Sequence, residues 1–193
     1  MSTLKVDTIL KRTGTGTITV GQSGDTISVP TGATLSVAGS TSGLPDNTPN
    51  FSAKRENATQ SISSGTNTKV QFNTEVFDSD NAYDATTNYR FTVPSNKAGK
   101  YFFSAKVSAS GGNANLNRAS IMFYKNGSNF TKIFNGFETN PIRVFSPEIS
   151  VVMDLAVSDY VEVFAYFETA NSADLNIDDG AEGLVQFYGY KLT

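Results

Sequence analysis

The chain has 193 residues, 15 basic and 18 acidic side chains, a formal charge of −3, and no His, Cys or Trp. Without Cys there is no disulfide framework and no thiolate nucleophile, and without His as well a Cys/His zinc site and a Ser-His-Asp triad are both excluded. The small negative charge leaves no electrostatic footprint for nucleic acid or an anionic membrane, and no segment approaches the roughly 18 continuous apolar residues of a membrane span.

Charged residues make up 17% of the chain, against 22 Thr, 21 Ser and 17 Asn. A surface that is polar without being charged suits short strands and many turns better than helices. The N-terminus, MSTLKVDTILKRTGTG, has charges on both sides of a very short apolar stretch and no small-residue cleavage site, so it does not read as a secretion signal. The expectation is a protein made and assembled in a cytoplasm.

Position divides the chain in two. All 22 aromatics (14 Phe, 8 Tyr) lie at or after Phe51. In residues 1–12 the only apolar groups after the initiator are Leu4, Val6, Ile9 and Leu10, and Leu4 and Val6 share a face if the segment is extended. In residues 13–45 three triplets recur, Ile18-Thr19-Val20, Ile27-Ser28-Val29 and Leu35-Ser36-Val37, at spacings of nine and eight residues with Gly-containing turns between. Period-2 alternation between such turns predicts three very short strands. A piece of this size without aromatics cannot bury enough surface unaided. Either it is a flexible Gly/Thr/Ser linker, or it is an intertwined oligomeric stalk with Ile18, Val20, Ile27, Val29, Leu35 and Val37 as its core; the regular spacing favours the stalk. Residues 41–50 carry two prolines and no apolar pattern, and the hinge is placed within them at 46–50.

Beyond the hinge, strand signals fall at 51–56, 67–73, 88–93, 100–110, 117–125, 129–134, 142–155 (two strands with a break), 160–169 and 183–192, with no helix. The clearest turn is Asn126-Gly127, since both residues tolerate the positive φ of a type I′ hairpin loop. Residues 51–193 are therefore expected to form an antiparallel sandwich or jelly roll. Two strands carry aromatics on a second face: Val161, Val163, Ala165 and Phe167 alternate with Glu162, Phe164, Tyr166 and Glu168, and Gln186, Tyr188 and Tyr190 with Val185, Phe187 and Gly189. A sandwich strand has one face on the core and one in water, so aromatics on both faces call for a cover.

A run of positions carries a family resemblance: Phe72, Asp78, Tyr83 and Phe91, then Gly99-Lys100-Tyr101-Phe102-Phe103, and the closing Phe187-Tyr188-Gly189-Tyr190-Lys191-Leu192. Over residues 51–193 this resembles the complement C-one-q and tumour-necrosis-factor-like jelly roll. Two spacings in the run are longer than the family's, and Ala105 stands where the family has another aromatic. The resemblance implies a jelly-roll sandwich of about ten strands that forms a homotrimer, with Tyr101, Phe103 and the aromatics of the last strands (Phe164, Tyr166, Phe187, Tyr188 and Tyr190) at the trimer interface. The start of the chain, Met1 to Ile9 with the TGTGTITV and SGDTISVPTGATLSVAGS stretches, is similar to small virion proteins of marine tailed phages. That similarity implies an N-terminal segment that attaches to the particle, with Leu4, Val6 and Ile9 as the anchor.

Catalysis has little to stand on. The available acids include Glu148, Asp154, Glu162 and Glu168, and the last two lie six residues apart on one face of a strand, roughly 20 Å, too far for a glycosidase pair. No cofactor is implied. Asp174, Asp178 and Asp179 cluster in an oxygen-rich loop that could take calcium, but the EF-hand order is absent and a solvated acidic loop is the simpler reading. The sequons at Asn57, Asn126 and Asn129 are what so much Asn, Ser and Thr produces without selection. Asn113, Asn115 and Asn117 form a small polar loop suited to hydrogen-bonding sugars or a protein partner.

The expectation is thus an all-β, non-enzymatic structural protein of a phage virion. It is a homotrimeric fibre, spike or capsid decoration, attached through its N-terminus to other virion proteins and displaying a jelly-roll head to a host glycan or protein. The alternative is a soluble carbohydrate-binding module of lectin type.

Overall fold

The computed structural model describes residues 9, 17–37, 47–110, 116–137, 142–179 and 185–192. The chain divides into two units, Met1–Leu44 and Pro45–Thr193.

In the first unit the described residues 17–37 hold turns but no strand. The turns are closed by Asp25 N donating to Gln22 O and Ala33 N donating to Pro30 O, each at 3.0 Å. The three expected strands do not form among the described residues of the single chain. Ile18, Val20, Ile27, Val29, Leu35 and Val37 are all exposed, by 45–67%.

In the second unit the described residues form fifteen strands and no helix. The first six are short: β1 (Asn50–Lys54), β2 (Gln60–Ile62), β3 (Thr68–Lys69), β4 (Thr74–Asp78), β5 (Tyr83–Asp84) and β6 (Arg90–Thr92). Then come β7 (Gly99–Lys106), β8 (Ala109–Ser110), β9 (Leu116–Lys125), β10 (Ser128–Gly136) and β11 (Val144–Phe145). The last four are β12 (Glu148–Leu155), β13 (Tyr160–Thr169), β14 (Leu175–Ile177) and β15 (Gln186–Lys191). The hinge ends earlier than expected: Asn50 opens β1, Lys191 N donates to Pro49 O at 3.1 Å, and Lys97 Nζ donates to Thr48 Oγ1 at 2.8 Å.

All pairings are antiparallel. The first sheet runs β12-β7-β15-β1-β4, the second β10-β9-β13-β6-β5 with β3 also beside β13, and a small third sheet runs β11-β8-β14-β2. Between the first two sheets lies an aromatic core. Phe51 stacks on Tyr83 at 5.1 Å and on Phe91 at 5.2 Å, and takes the edge of Phe187 at 4.9 Å. Phe103 touches Phe91, Tyr101, Phe123 and Phe187. Such offset and edge-on pairs add to the area that burial alone removes from water. Gly189 makes room for this cluster, because a Cβ there would lie 2.4 Å from Phe103 Cδ1 and 2.8 Å from Phe102 O.

The Asn126-Gly127 turn forms as its residues dictate, with φ of 52° and 77°. It is tied to the neighbouring turn: Asn126 Nδ2 donates to Asp159 Oδ1 at 2.7 Å, and Lys125 pairs with Asp159 Oδ2 at 2.9 Å.

Candidate recognition surfaces

Alternation along each strand sends one set of side chains into the core and the other outward. On the outward face of the first sheet, register lines these up in rows. One row runs Val152, Phe102, Tyr190, Asn50 and the next Ser150, Ser104, Tyr188, Ser52, Phe77. Phe102 and Tyr190 are in ring contact at 5.4 Å, while Phe77, Tyr188, Tyr190 and Val152 are exposed. A hollow of about 430 Å³ opens among Asn47, Ser52, Phe77, Tyr188 and Tyr190. Beyond these rows the strands carry charge: Lys100 and Asp154 to one side, Lys54, Lys106 and Glu148 to the other. The face therefore has an aromatic centre and a charged margin.

The outward face of the second sheet is different. Arg118 donates to Glu168 Oε2 at 3.4 Å, and Tyr166 Oη donates to the same oxygen at 2.6 Å. That bond to a carboxylate, with some burial, raises the phenol above its ordinary range, so Tyr166 stays neutral. Tyr124 stacks on Phe164 at 4.1 Å, and Arg90 sits 4.2 Å over the Tyr160 ring. Lys69 pairs at 2.5 Å with Glu162, whose side chain is nearly buried, so that glutamate is a structural group rather than a free acid. A trough of about 480 Å³ runs along this face, lined among others by Arg118, Ser120, Tyr124, Lys132, Phe134 and Tyr166.

The seven residues expected at a trimer interface fall in three places. Tyr101, Phe103 and Phe187 are wholly buried in the chain's own core and are not available to a second copy. The physical reason is parity: in β7 and β15 they occupy the inward positions, and the outward ones are Phe102, Tyr188 and Tyr190. Phe164 and Tyr166 stand half-buried on the second sheet's outer face; Tyr188 and Tyr190 stand on the first sheet's. The motif Phe72, Tyr83, Phe91, Tyr101 and Phe103 is thus a core motif, all five rings being buried.

Other expected sites resolve as follows. Leu4, Val6, Asn113 and Asn115 lie outside the described residues, and Ile9 is exposed. Asn117 is not in a loop: it belongs to β9, and its carbonyl accepts from Phe137 N at 2.6 Å. Asp178 is engaged, its two carboxylate oxygens accepting from the Ser108 and Ser110 hydroxyls, and Asp174 and Asp179 are exposed. Among the described residues no group of three or more acids is placed to hold a metal ion. Glu148 and Asp154 are exposed at the margin of the first sheet's face.

The trough residues Arg118, Tyr124, Lys132 and Phe134 escaped the sequence reading. They come from β9 and β10 and meet Tyr166 of β13 only through strand register; the signal available was the second, aromatic face of β13.

No family model and no curated protein matches this chain. Solved structures that share its fold include the following two. The globular domain of zebrafish complement 1qA is 17% identical, with a TM-score of 0.52, over 75% of this chain and 98% of that one. Murine APRIL, crystallised at pH 5.0, is 12% identical, with a TM-score of 0.53, over 74% of this chain and 98% of that one. At these identities the likeness is one of fold: the second unit is a jelly roll of the kind seen in complement C-one-q and tumour-necrosis-factor-like proteins.

Proposed function

We propose that the chain is a non-enzymatic display protein of a tailed-phage virion. Its head self-associates as a homotrimer, its residues 13–45 form an intertwined β-stalk with the other copies, and its residues 1–12 attach it to other virion proteins. The head is presented outward for host-surface contact or to stabilise the particle. Assembly takes place in the host cytoplasm.

The observation that carries the reading is the first sheet's outer face. An aromatic centre inside a charged margin is the anatomy of a protein–protein interface. Tyr188 and Tyr190 are exposed by 36% and 37% and Phe77 by 52%, so covering each removes about 60–120 Å² from water and contributes about 1–3 kcal/mol. Three chains repeat that gain against the entropy of association. The six exposed aliphatics of residues 17–37 support the same reading, since a stretch with no core of its own gains most from neighbouring copies. The phage setting is supported by the likeness of the N-terminal segment to small virion proteins.

Light scattering on the full chain tests the assembly. A mass near three times 20.7 kDa is expected, falling to that of a single chain when Phe77→Glu and Tyr190→Glu place charge in the patch, with the far-UV circular dichroism unchanged. A wild-type monomer would sink the reading.

A further inference from the structure

The trough on the second sheet lies on the face opposite to the one assigned to self-association, so trimer formation leaves it outward. Its floor is Ser120 and Met122 of β9, both buried. The Ser120 hydroxyl is already engaged, donating to Ile133 O of the neighbouring β10 at 2.7 Å, so the floor offers no free hydroxyl donor there. Ser120 is the register partner of Phe134 on one side and Tyr166 on the other. Two rings therefore flank it, two strand spacings or about 10 Å apart. Phe134 is 54% exposed, an unusual position for a Phe that has no ligand to cover it. Asn67, Asn129, Arg118 and Lys132 complete the lining.

That chemistry selects among ligand classes. A lipid tail needs a continuous apolar lining, which amides and cations interrupt. A nucleic-acid strand needs a long basic track, and this trough has two cations in a chain of net charge −3. A sugar ring offers apolar C–H faces to aromatic side chains and hydroxyls to amides, guanidinium and ammonium groups, and the volume falls within the range of about 300–1,000 Å³ common for small-ligand sites. Charge narrows it further. Among the described residues that line the trough Arg118 and Lys132 are cations and none is an acid. Arg118 is engaged with Glu168 Oε2, which also accepts from Tyr166, whereas Lys132 is exposed.

We propose that this trough binds an acidic oligosaccharide. Phe134 and Tyr166 pack against a pyranose ring, and Lys132 meets its carboxylate. The proposal rests on the display reading, since it names what the presented head touches; three troughs on one trimer would multiply a weak single-site affinity.

The test is ligand-observed NMR titration of the full chain with tetragalacturonate, which bears carboxylates, and with cellotetraose, which is neutral, while light scattering reports the mass of the same samples. Saturation transfer to tetragalacturonate and not to cellotetraose is expected. Phe134→Ala and Lys132→Glu, both at exposed positions, are each expected to weaken it by about tenfold or more. Transfer to neither probe, equal transfer to both, or undiminished transfer in both variants would overturn the proposal. A trimer that binds nothing overturns the trough and leaves the assembly reading in place; a monomer that binds tetragalacturonate does the reverse.

Discussion

At the residue scale, Gly189 shows how one missing atom decides a core. It pairs with Phe103 across β15 and β7, and the Phe103 ring occupies the volume a side chain would take. Phe103 cannot give way easily, because it also contacts Phe91, Tyr101, Phe123 and Phe187, and Phe102 O is backbone. Gly189→Ala is therefore expected to destabilise the head by about 2 kcal/mol or more, the range of overpacking in a closed core, read as a lowered urea midpoint. A midpoint equal to wild type would show that the ring turns aside without cost. The glycine was visible in the sequence as a gap in an alternating strand, but its reason was not, since Phe103 lies more than eighty residues away along the chain.

At the scale of elements, the junction of the β9–β10 hairpin with the turn between β12 and β13 depends on one carboxylate. Asp159 accepts from Asn126 Nδ2 and from Lys125 Nζ, and also from Ala156 N at 2.9 Å. The Asn126 bond, followed by the Lys125 and Ala156 bonds, lowers its pKa to about 2. Asp84 is held well below the carboxylate range in the same way, chiefly by Thr87 N and then by Thr86 N and Asn88. A carboxyl depressed in the fold adds stability that is present above its unfolded pKa of about 3.9 and is lost as pH falls through the folded value. Melting temperature should thus decline between pH 4 and pH 2, and Asp159→Asn should lower the neutral-pH plateau while flattening that decline. A variant whose acid limb runs parallel to wild type would contradict the assignment.

These elements also show what sequence alone could carry. The Asn126-Gly127 hairpin and the whole of β13 were legible, because turn chemistry and period-2 alternation are local. Four strands were not: β2, β4, β5 and β14. β14 hid inside an Asp-rich stretch, though Leu175 and Ile177 alternate and are buried. β4 has few inward side chains, so no period marked it. Which face of β7 and β15 turns inward is equally invisible, as both faces carry aromatics, and nothing in the pattern corrects the resemblance where it implies Tyr101, Phe103 and Phe187 at a trimer interface. The trough is the extreme case, because its walls come from strands joined only by register.

At the scale of the whole molecule, every buried apolar side chain among the described residues lies at or beyond Pro49. The described residues of the first unit expose theirs. This contrast is what the proposed roles would need: a head with its own core, and a first unit that gains order from partner copies. Virus particles assembled with residues 1–12 deleted from this protein are expected to lack it, as judged by mass spectrometry of purified particles. Normal incorporation would refute the attachment assigned to Leu4, Val6 and Ile9.

The place of β1 in the first sheet has a mechanical meaning. It is the first strand of the head, yet it is an interior one, with five residues paired to β15 on one side and four to β4 on the other. Hydrogen bonds of an antiparallel ladder stand perpendicular to the strands. Tension arriving along the chain ahead of Asn50 therefore loads both ladders in shear, all bonds at once, instead of peeling an edge strand one bond at a time. A head tethered by that end is held through an interior strand, two ladders at once.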